Sequence, residues 1–367
     1  MDHIRKIFLL LAVLWVCLLA ACGAEPAVTE PVPQTTAATV SPTTAPPVTV
    51  PPTTVPPTEP QPEHFTLTFV GDCTLGANPH HYNIGLGFIK TIGDDYGFPF
   101  RNVMDYFAND EVTFINLEGT FCDSGKAVYK RHVFRGPTDY IRILTENSVE
   151  FASLANNHSM DYGQAGYDST VETLSAAGIP FVERDAGMLF TTENGLTIGV
   201  YGAVYHYLDV EDMTAEIAQL RQQGADLIIY APHWGSEGSF RTTKEQREVA
   251  QAAVEAGADI IWGSHPHVLQ PMEWIDGSLV CYSLGNFSFG GNIYPKDYDA
   301  ALIRVEVIRD PDGTVRLGQV TAVPVNVSSD PNRNNFQPTP YEPGSREYDR
   351  AMSKLDGTYT GPNLPIG

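Results

Sequence analysis

Basic side chains are what this 367-residue chain has least of: 22 Lys and Arg stand against 44 Asp and Glu, a formal net charge of −22. That shortage excludes nucleic acid as a partner, because a phosphate backbone needs a basic footprint. It also excludes loose electrostatic attachment to anionic lipid, which needs a polybasic patch. The deficit is uneven. Residues 1–63 carry −3 and residues 331–367 are neutral, so −19 falls on the stretch between them. Cysteine is scarce too, at five residues. A helix crossing a bilayer needs roughly 20 apolar residues, and the run Ile7–Ala21 stops at 15.

What is present begins with that run. Arg5 and Lys6 precede it and small residues close it, the pattern of a secretory signal peptide over residues 1–22. Leu19-Ala20-Ala21-Cys22-Gly23 resembles the lipobox of bacterial lipoproteins. The resemblance implies that Cys22 is lipidated and anchors the chain to the outer face of a bacterial cell membrane, stably once two lipid chains are attached. Residues 23–63 are Pro/Thr-rich: 12 of the 28 prolines lie between Pro26 and Pro62, with no Lys, Arg or aromatic residue among them. Proline fixes φ and removes donors, so this stretch favours an extended stalk and builds no core.

With Cys17 in the signal and Cys22 lipidated, the rest of the chain keeps Cys73, Cys122 and Cys281. An odd count excludes a complete disulfide framework. A Cys73–Cys122 bridge and buried free thiols both stay open.

From His64 the composition changes, and residues 64–330 read as one α/β domain. Apolar runs predict strands over Phe65–Val70, Val112–Leu117, Val149–Leu154, Leu196–Val204, Asp226–Ala231, Asp259–Trp262, Leu279–Leu284, Ala301–Ile308 and Val315–Val327. Helical patterns at Gln164–Ala177, Glu216–Gln223 and Lys244–Ala256 each stop at a glycine directly before a strand. Glycine tolerates φ > 0 and ends helices, and helix–glycine–strand repeated three times indicates crossover units. The last two strands have no helix between them, so they should pair antiparallel. Residues 331–367 read as a polar tail, with one or two helical turns at Tyr348–Leu355 and no assigned function.

In α/β folds ligands gather at the carboxyl ends of strands. There this chain places Asp72, Asn116 and Glu118, Asn156-Asn157-His158, His233 and Glu237, and His265-Pro266-His267. Oxygen and imidazole donors together suit Mn, Fe, Zn or Mg. Pro266 restrains the backbone between two imidazoles that can reach neighbouring sites. Two such ions could activate water for displacement at phosphorus. His158 suits proton donation to a leaving group. Singly, the asparagines read as turn residues and His233 as a structural histidine; it is the joint placement at five strand ends that favours a site.

Gly71-Asp72, Asn116-Leu117-Glu118, Asn156-Asn157-His158 with Asp161-Tyr162-Gly163, His233-Trp234-Gly235 with Glu237, Gly263-x-His265-Pro266-His267 and Ser283-Leu284-Gly285-Asn286-Phe287 resemble the CapA proteins of poly-γ-glutamate capsule synthesis. Those proteins have the fold of calcineurin-like metallophosphoesterases. The resemblance covers roughly Phe65–Val327. It implies a four-layer α/β/β/α sandwich and a membrane-attached extracellular role in making, exporting or anchoring poly-γ-glutamate. That polymer and other capsule synthesis membrane proteins are then the expected partners.

Carried over residue by residue, the pattern implies Asp72 and His267 at one metal and Asn157, His233 and His265 at the other. Glu118 would bridge the two, with His158 and Asp161 catalytic and one or two divalent ions as cofactor. Asn116, Arg135, Glu237 and Asn286 are candidate substrate contacts. Arg135 fits equally a bidentate anion clamp and an ordinary surface ion pair. Trp234 and Tyr162 are expected to wall the cleft, and His206 to stand behind it. Three departures count. Thr74 stands where the superfamily has His, Glu118 replaces an Asp, and Ser264 stands where many relatives have a second His. Two readings follow: a metal-dependent phosphoesterase-like hydrolase or transferase, or a non-catalytic assembly or polymer-handling subunit on the same fold.

Overall fold

A computed structural model describes residues 60–78, 85, 87–204 and 209–365. The signal peptide, Cys22, nearly all of the stalk, and His206 lie outside the described residues. One compact unit spans Glu59–Gly367.

The strands in chain order are β1 (Glu63–Cys73), β2 (Val112–Leu117), β3 (Thr120–Phe121), β4 (Arg135–Gly136), β5 (Phe151–Ser153), β6 (Phe181–Val182), β7 (Ala186–Thr191), β8 (Thr197–Val204), β9 (Leu227–His233), β10 (Ile260–Trp262), β11 (Met272–Ile275), β12 (Ser278–Cys281), β13 (Asp299–Arg309), β14 (Val315–Asn326) and β15 (Thr339–Pro340). The helices are α1 (Phe88–Ile92), α2 (Met104–Phe107), α3 (Ile141–Thr145), α4 (Gly163–Ala176), α5 (Val210–Gln222), α6 (Lys244–Ala256) and α7 (Arg346–Leu355). None of the described helices is long and apolar enough to cross a membrane.

Two sheets carry the fold. One has the order β15-β14-β13-β1-β2-β5-β6, the other β11-β12-β10-β9-β8-β7, and β3 pairs with β4 apart from both. β1, β2, β5 and β6 run parallel, as do β8, β9, β10 and β12. β13 and β14 form the expected antiparallel hairpin, in register from Asp299↔Asn326 to Arg309↔Val315 with one shift between Val305 and Val307.

Three apolar clusters define the layers. Between the sheets, Phe69 stacks on Phe114 at 4.8 Å and Phe114 meets Phe151 at 5.0 Å, packed with Leu67, Val200, Ile229, Trp262 and Ile303. Each large apolar side chain so buried contributes roughly 1.5–3 kcal/mol. On the outer face of the first sheet, Ile115, Leu117 and Ala152 meet Phe88, Phe107, Leu144 and Leu174 from the helices. On the outer face of the second, Ile228, Tyr230 and Ile261 meet Ile217 and Leu220 of α5 and Val249 and Ala253 of α6. The result is the four-layer α/β/β/α sandwich.

The helix stops are where glycine was expected, with Gly178, Gly224 and Gly257 all at positive φ. α6 matches its expected bounds and opens on a capping box, Thr243 with Gln246. α5 begins earlier than expected, because Asp209 accepts from the N–H groups of Glu211 and Asp212.

Two boundaries need correction. Glu63 opens β1 opposite Arg309, so the stalk ends sooner than residue 63. Between residues 331 and 365 the polar tail is part of the fold. β15 pairs with β14, α7 has ten residues, and Ala351 and Leu355 enter the inter-sheet core. All three described cysteines are free and buried, which settles the bridge between Cys73 and Cys122 against pairing.

Candidate metal centre

Parallel strands bring their carboxyl ends to one rim, and the two sheets touch there. The Asp72 N–H donates to the Gly285 carbonyl at 2.9 Å and the Phe287 N–H to the Asp72 carbonyl at 2.9 Å. Gly71 makes this approach sterically feasible, since an added Cβ would lie 2.0 Å from the Gly285 oxygen. Trp262 stitches the sheets further, Nε1 donating to the Val70 carbonyl at 2.8 Å.

Glu118, just past β2, sits at the centre and is fully buried. Its Oε1 lies 3.8 Å from His158 Nε2, 3.7 Å from His233 Nε2 and 3.8 Å from His267 Nε2. Neither carboxylate oxygen has a hydrogen-bond partner. Burial pushes this carboxyl up to about 8, against the pull of His267. His267 shows the reverse balance. Burial alone would pull it down, but Glu118 and Asp72 outweigh that and raise it to about 10. Burial lowers His265 to about 4, with His267 adding to the effect, and drives His233 well below its usual value. An unpartnered buried carboxylate ringed by imidazole nitrogens just beyond hydrogen-bond reach is the environment a cation would complete.

The surrounding ligand-type groups are oriented by neighbours. Asp72 Oδ1 accepts from Asn116 at 2.8 Å, and Asn116 Oδ1 accepts from Asn156 at 3.0 Å. Asp72 Oδ2 faces His267 Nδ1 at 3.0 Å, without the alignment of a hydrogen bond. His267 Nδ1 also lies 2.9 Å from Asn286 Oδ1. His233 Nδ1 meets Ser264 Oγ at 2.8 Å, and its Nε2 lies 3.1 Å from both Asn157 Oδ1 and His265 Nδ1. Thus Ser264 holds His233 by its ring. His265 and His267 both have left-handed backbones, φ 97° and 57°, an arrangement that costs of order 1–3 kcal/mol per residue and is held by its surroundings.

His158 stands beside this cluster. Its Nδ1 is 2.6 Å from Asp161 Oδ2, leaving Nε2 toward Glu118, and its ring packs on Phe134 at 4.5 Å. Burial lowers its affinity for a proton, and Asp161 only partly offsets this.

The structure regroups several predicted residues. Asn116 is buried and donates to Asp72, so it orients a ligand-type carboxylate. Asn286 likewise orients His267. Glu237 is exposed and comes together with His265 and His267 as a second group whose donor atoms lie within 4.8 Å; the first is Asp72, Glu118 and His267. Arg135 lies on β4 with its guanidinium 5.0 Å over the Tyr162 ring. Trp234 walls no cleft: it is core, with Nε1 donating to the Tyr282 carbonyl at 2.9 Å. Thr74 is buried with its hydroxyl unpartnered.

Lys130 was missed. Its Nζ donates to the Asn157 carbonyl at 2.8 Å and to Asp161 Oδ1 at 3.1 Å, and stands 3.2 Å from His158 Nδ1. Three consecutive bases, Lys130-Arg131-His132, in so acidic a chain were the available signal.

Comparison with known proteins gives the following relatives. The chain is 28% identical over 296 residues to the capsule biosynthesis protein CapA of Bacillus anthracis, covering 72% of this chain and 68% of that one. It is 26% identical over 291 residues to the PGA biosynthesis protein CapA of Bacillus subtilis, covering 72% and 74%. Among solved structures, the NAD nucleotidase of Haemophilus influenzae aligns over 81% of this chain and 63% of its own, at TM-score 0.40 and 13% identity. A purple acid phosphatase from yellow lupin seeds aligns over 71% and 53%, at TM-score 0.32 and 10% identity. The family described as bacterial capsule synthesis protein PGA_cap matches residues 66–291, well over half of the chain, and the chain belongs to that family.

Proposed function

We propose that the rim binds one or two divalent metal ions, Mn, Fe, Zn or Mg, and that the chain acts in the synthesis, export or anchoring of a poly-γ-glutamate capsule as a metal-dependent hydrolase or transferase. The names of the Bacillus relatives support the process. The observation that carries the chemistry is Glu118, buried with two unpartnered oxygens and three imidazole Nε2 atoms 3.7–3.8 Å from Oε1.

In this reading Asp72 and His267 hold one ion, Asn157, His233 and His265 the other, and Glu118 lies between. Bound metal supplies a Lewis acid and an activated water. Asp161 fixes the His158 ring through Nδ1 and turns Nε2 toward the reacting group; a proton taken up from water at Nε2 would then pass to the leaving group, while Lys130 pairs with Asp161. Asn116, Asn156, Asn286 and Ser264 hold the ligand side chains in place, the service that partners behind a metal site give. Cys22 carries the lipid that keeps the domain at the outer membrane face, and Cys22→Ser should move the protein from the membrane to the soluble fraction.

Elemental analysis of the purified domain tests the reading: stoichiometric transition metal is expected, and its absence after metal-replete growth would sink it. His265→Ala and Asn157→Ala should give folded chains that no longer support polymer formation. The second reading, a non-catalytic assembly subunit, is favoured by Thr74, whose buried, unpartnered hydroxyl occupies the position of an expected histidine ligand. It predicts that both substitutions leave polymer production intact.

A further inference from the structure

The C-terminal segment lies beyond the family match at residues 66–291, yet it folds back on the loop that follows Glu237. Past α7, Tyr359 packs edge-on against Phe240 at 4.9 Å, and Lys354 Nζ stands 4.5 Å from the same Phe240 ring. Asn363 Oδ1 accepts from the Phe240 N–H and from the Arg241 guanidinium, both at 3.1 Å. Its amide donates to Ser239 Oγ at 3.3 Å. The Gly361 carbonyl accepts from Arg241 at 3.1 Å, and the Leu364 N–H donates to the Gly238 carbonyl at 2.9 Å. Residues 358–365 form no helix or strand, so these bonds are what fix their course.

Gly238 passes that hold inward. Its N–H donates to the Pro266 carbonyl at 2.8 Å, and Pro266 is the buried residue between His265 and His267. A longer bond runs from Asn286 Nδ2 to the His267 carbonyl at 3.5 Å. Both histidines have left-handed backbones, a conformation that persists only where its surroundings impose it. Gly238 itself has φ +71°, and a Cβ there would lie 2.9 Å from the Leu364 oxygen. Its missing side chain lets the C-terminal segment and the histidine turn meet at one residue. Gln270 holds the same loop from the core side, Nε2 donating to the Ser239 and Arg241 carbonyls at 2.8 and 3.2 Å. The C-terminal segment supplies the outer hold.

We infer that residues 359–364 are a positioning strap for the proposed metal centre. Through Asn363 and Leu364 the strap holds the loop 237–241, and through Gly238 and Pro266 it sets where His265 and His267 present their imidazoles. The loop also carries Glu237, the carboxylate grouped with that histidine pair. The inference rests on the metal reading of the rim. Asn363 and Leu364 are positioning residues in it, acting through the backbone of Gly238 and Pro266.

Calorimetric titration of the full mature chain with Mn²⁺ and with Zn²⁺, and hydrogen–deuterium exchange of the metal-free chain, test this. Asn363→Ala removes the acceptor shared by Phe240 and Arg241. It should weaken metal binding about tenfold, the lower end of what losing an orienting partner costs a metal site. In the metal-free chain it should speed exchange at the Gly238 amide while the amides of β1 and β2 keep their rates. Asn363→Asp keeps the acceptor oxygens and should restore most of the affinity. Deleting Asn363–Gly367 should have the larger effect on both readouts. Unchanged affinity and exchange in the alanine and shortened chains would overturn the strap. So would exchange that rises equally throughout the domain, or an aspartate variant as weak as the alanine one. The two proposals fail separately. An unaltered chain that binds neither ion counts against the metal reading, and the exchange pattern, which needs no metal, then decides whether the strap holds the turn.

Discussion

Glu118 and Asp299 are both buried carboxylates, and the chain treats them in opposite ways. Asp299, at the start of β13, accepts from Tyr341 at 2.8 Å, from Arg350 at 2.6 and 2.8 Å and from Lys354 at 2.8 Å. Burial works against its charge, but Arg350 and Lys354 outweigh burial and hold it below the ordinary carboxylate range. Glu118 has no such donor, and burial raises it instead. One carboxylate is satisfied from within and fastens α7 to the sheet. The other is left open at the point where five strand ends meet. The contrast separates a carboxylate that fastens two elements of the fold from one whose oxygens the proposed metal ion would engage.

Four measurements sharpen or break this contrast. The largest effect belongs to the fastened carboxylate. Lys354→Ala removes a buried ammonium shared by Asp297 and Asp299 and should cost about 3–5 kcal/mol in denaturant unfolding; a loss below 1 kcal/mol would show that the latch is not structural. Next, adding divalent metal at about 100-fold its dissociation constant should stabilise the unaltered domain by about 2.7 kcal/mol. Glu118→Gln should lose most of that gain while its metal-free form unfolds no more readily than the original. If the metal-free variant is the weaker one, Glu118 is a structural residue and the contrast fails.

Asn116→Ala comes third. With its amide gone Asp72 loses an orienting donor, and metal affinity should fall about 10- to 100-fold while the fold is kept. An unchanged titration would remove Asn116 from the site. The smallest effect lies at the opposite end of the sheet, where burial raises Asp110 to about 6 and Glu150 to about 7 although each accepts a hydrogen bond from Thr113. Their folded-state values exceed the unfolded ones, so the folded chain binds more protons and their contribution to stability grows as pH falls from about 7 toward 4.5. The pair Asp110→Asn and Glu150→Gln should flatten that part of the stability–pH curve, and a slope that stays the same would contradict the assignment.

Much of this was legible in the amino-acid order. Apolar runs located β2, β8, β9, β13 and β14, and the Thr243 cap and Gly257 stop marked both ends of α6, because such signals are local. The rim residues were legible through their position after those runs. Other elements left no such mark. β7 alternates weakly on an edge, with its residues only half buried. α1 and α2 have five and four residues and owe their form to packing Phe88, Ile92 and Phe107 against the first sheet.

Sequence by itself determined the α/β layering, the acidic body and which residue types would crowd one rim, since periodicity and strand ends are local properties. Only the tertiary structure decided what each rim residue touches. It turned Asn116 and Asn286 into supports for Asp72 and His267, brought Glu237 to the histidine pair, sent Trp234 into the core and drew a polar C-terminal segment back against Gly238. Those outcomes depend on contacts across more than a hundred residues, such as Leu364 with Gly238 and Asn116 with His233. Local composition carries no trace of distances that arise only when two sheets pack face to face.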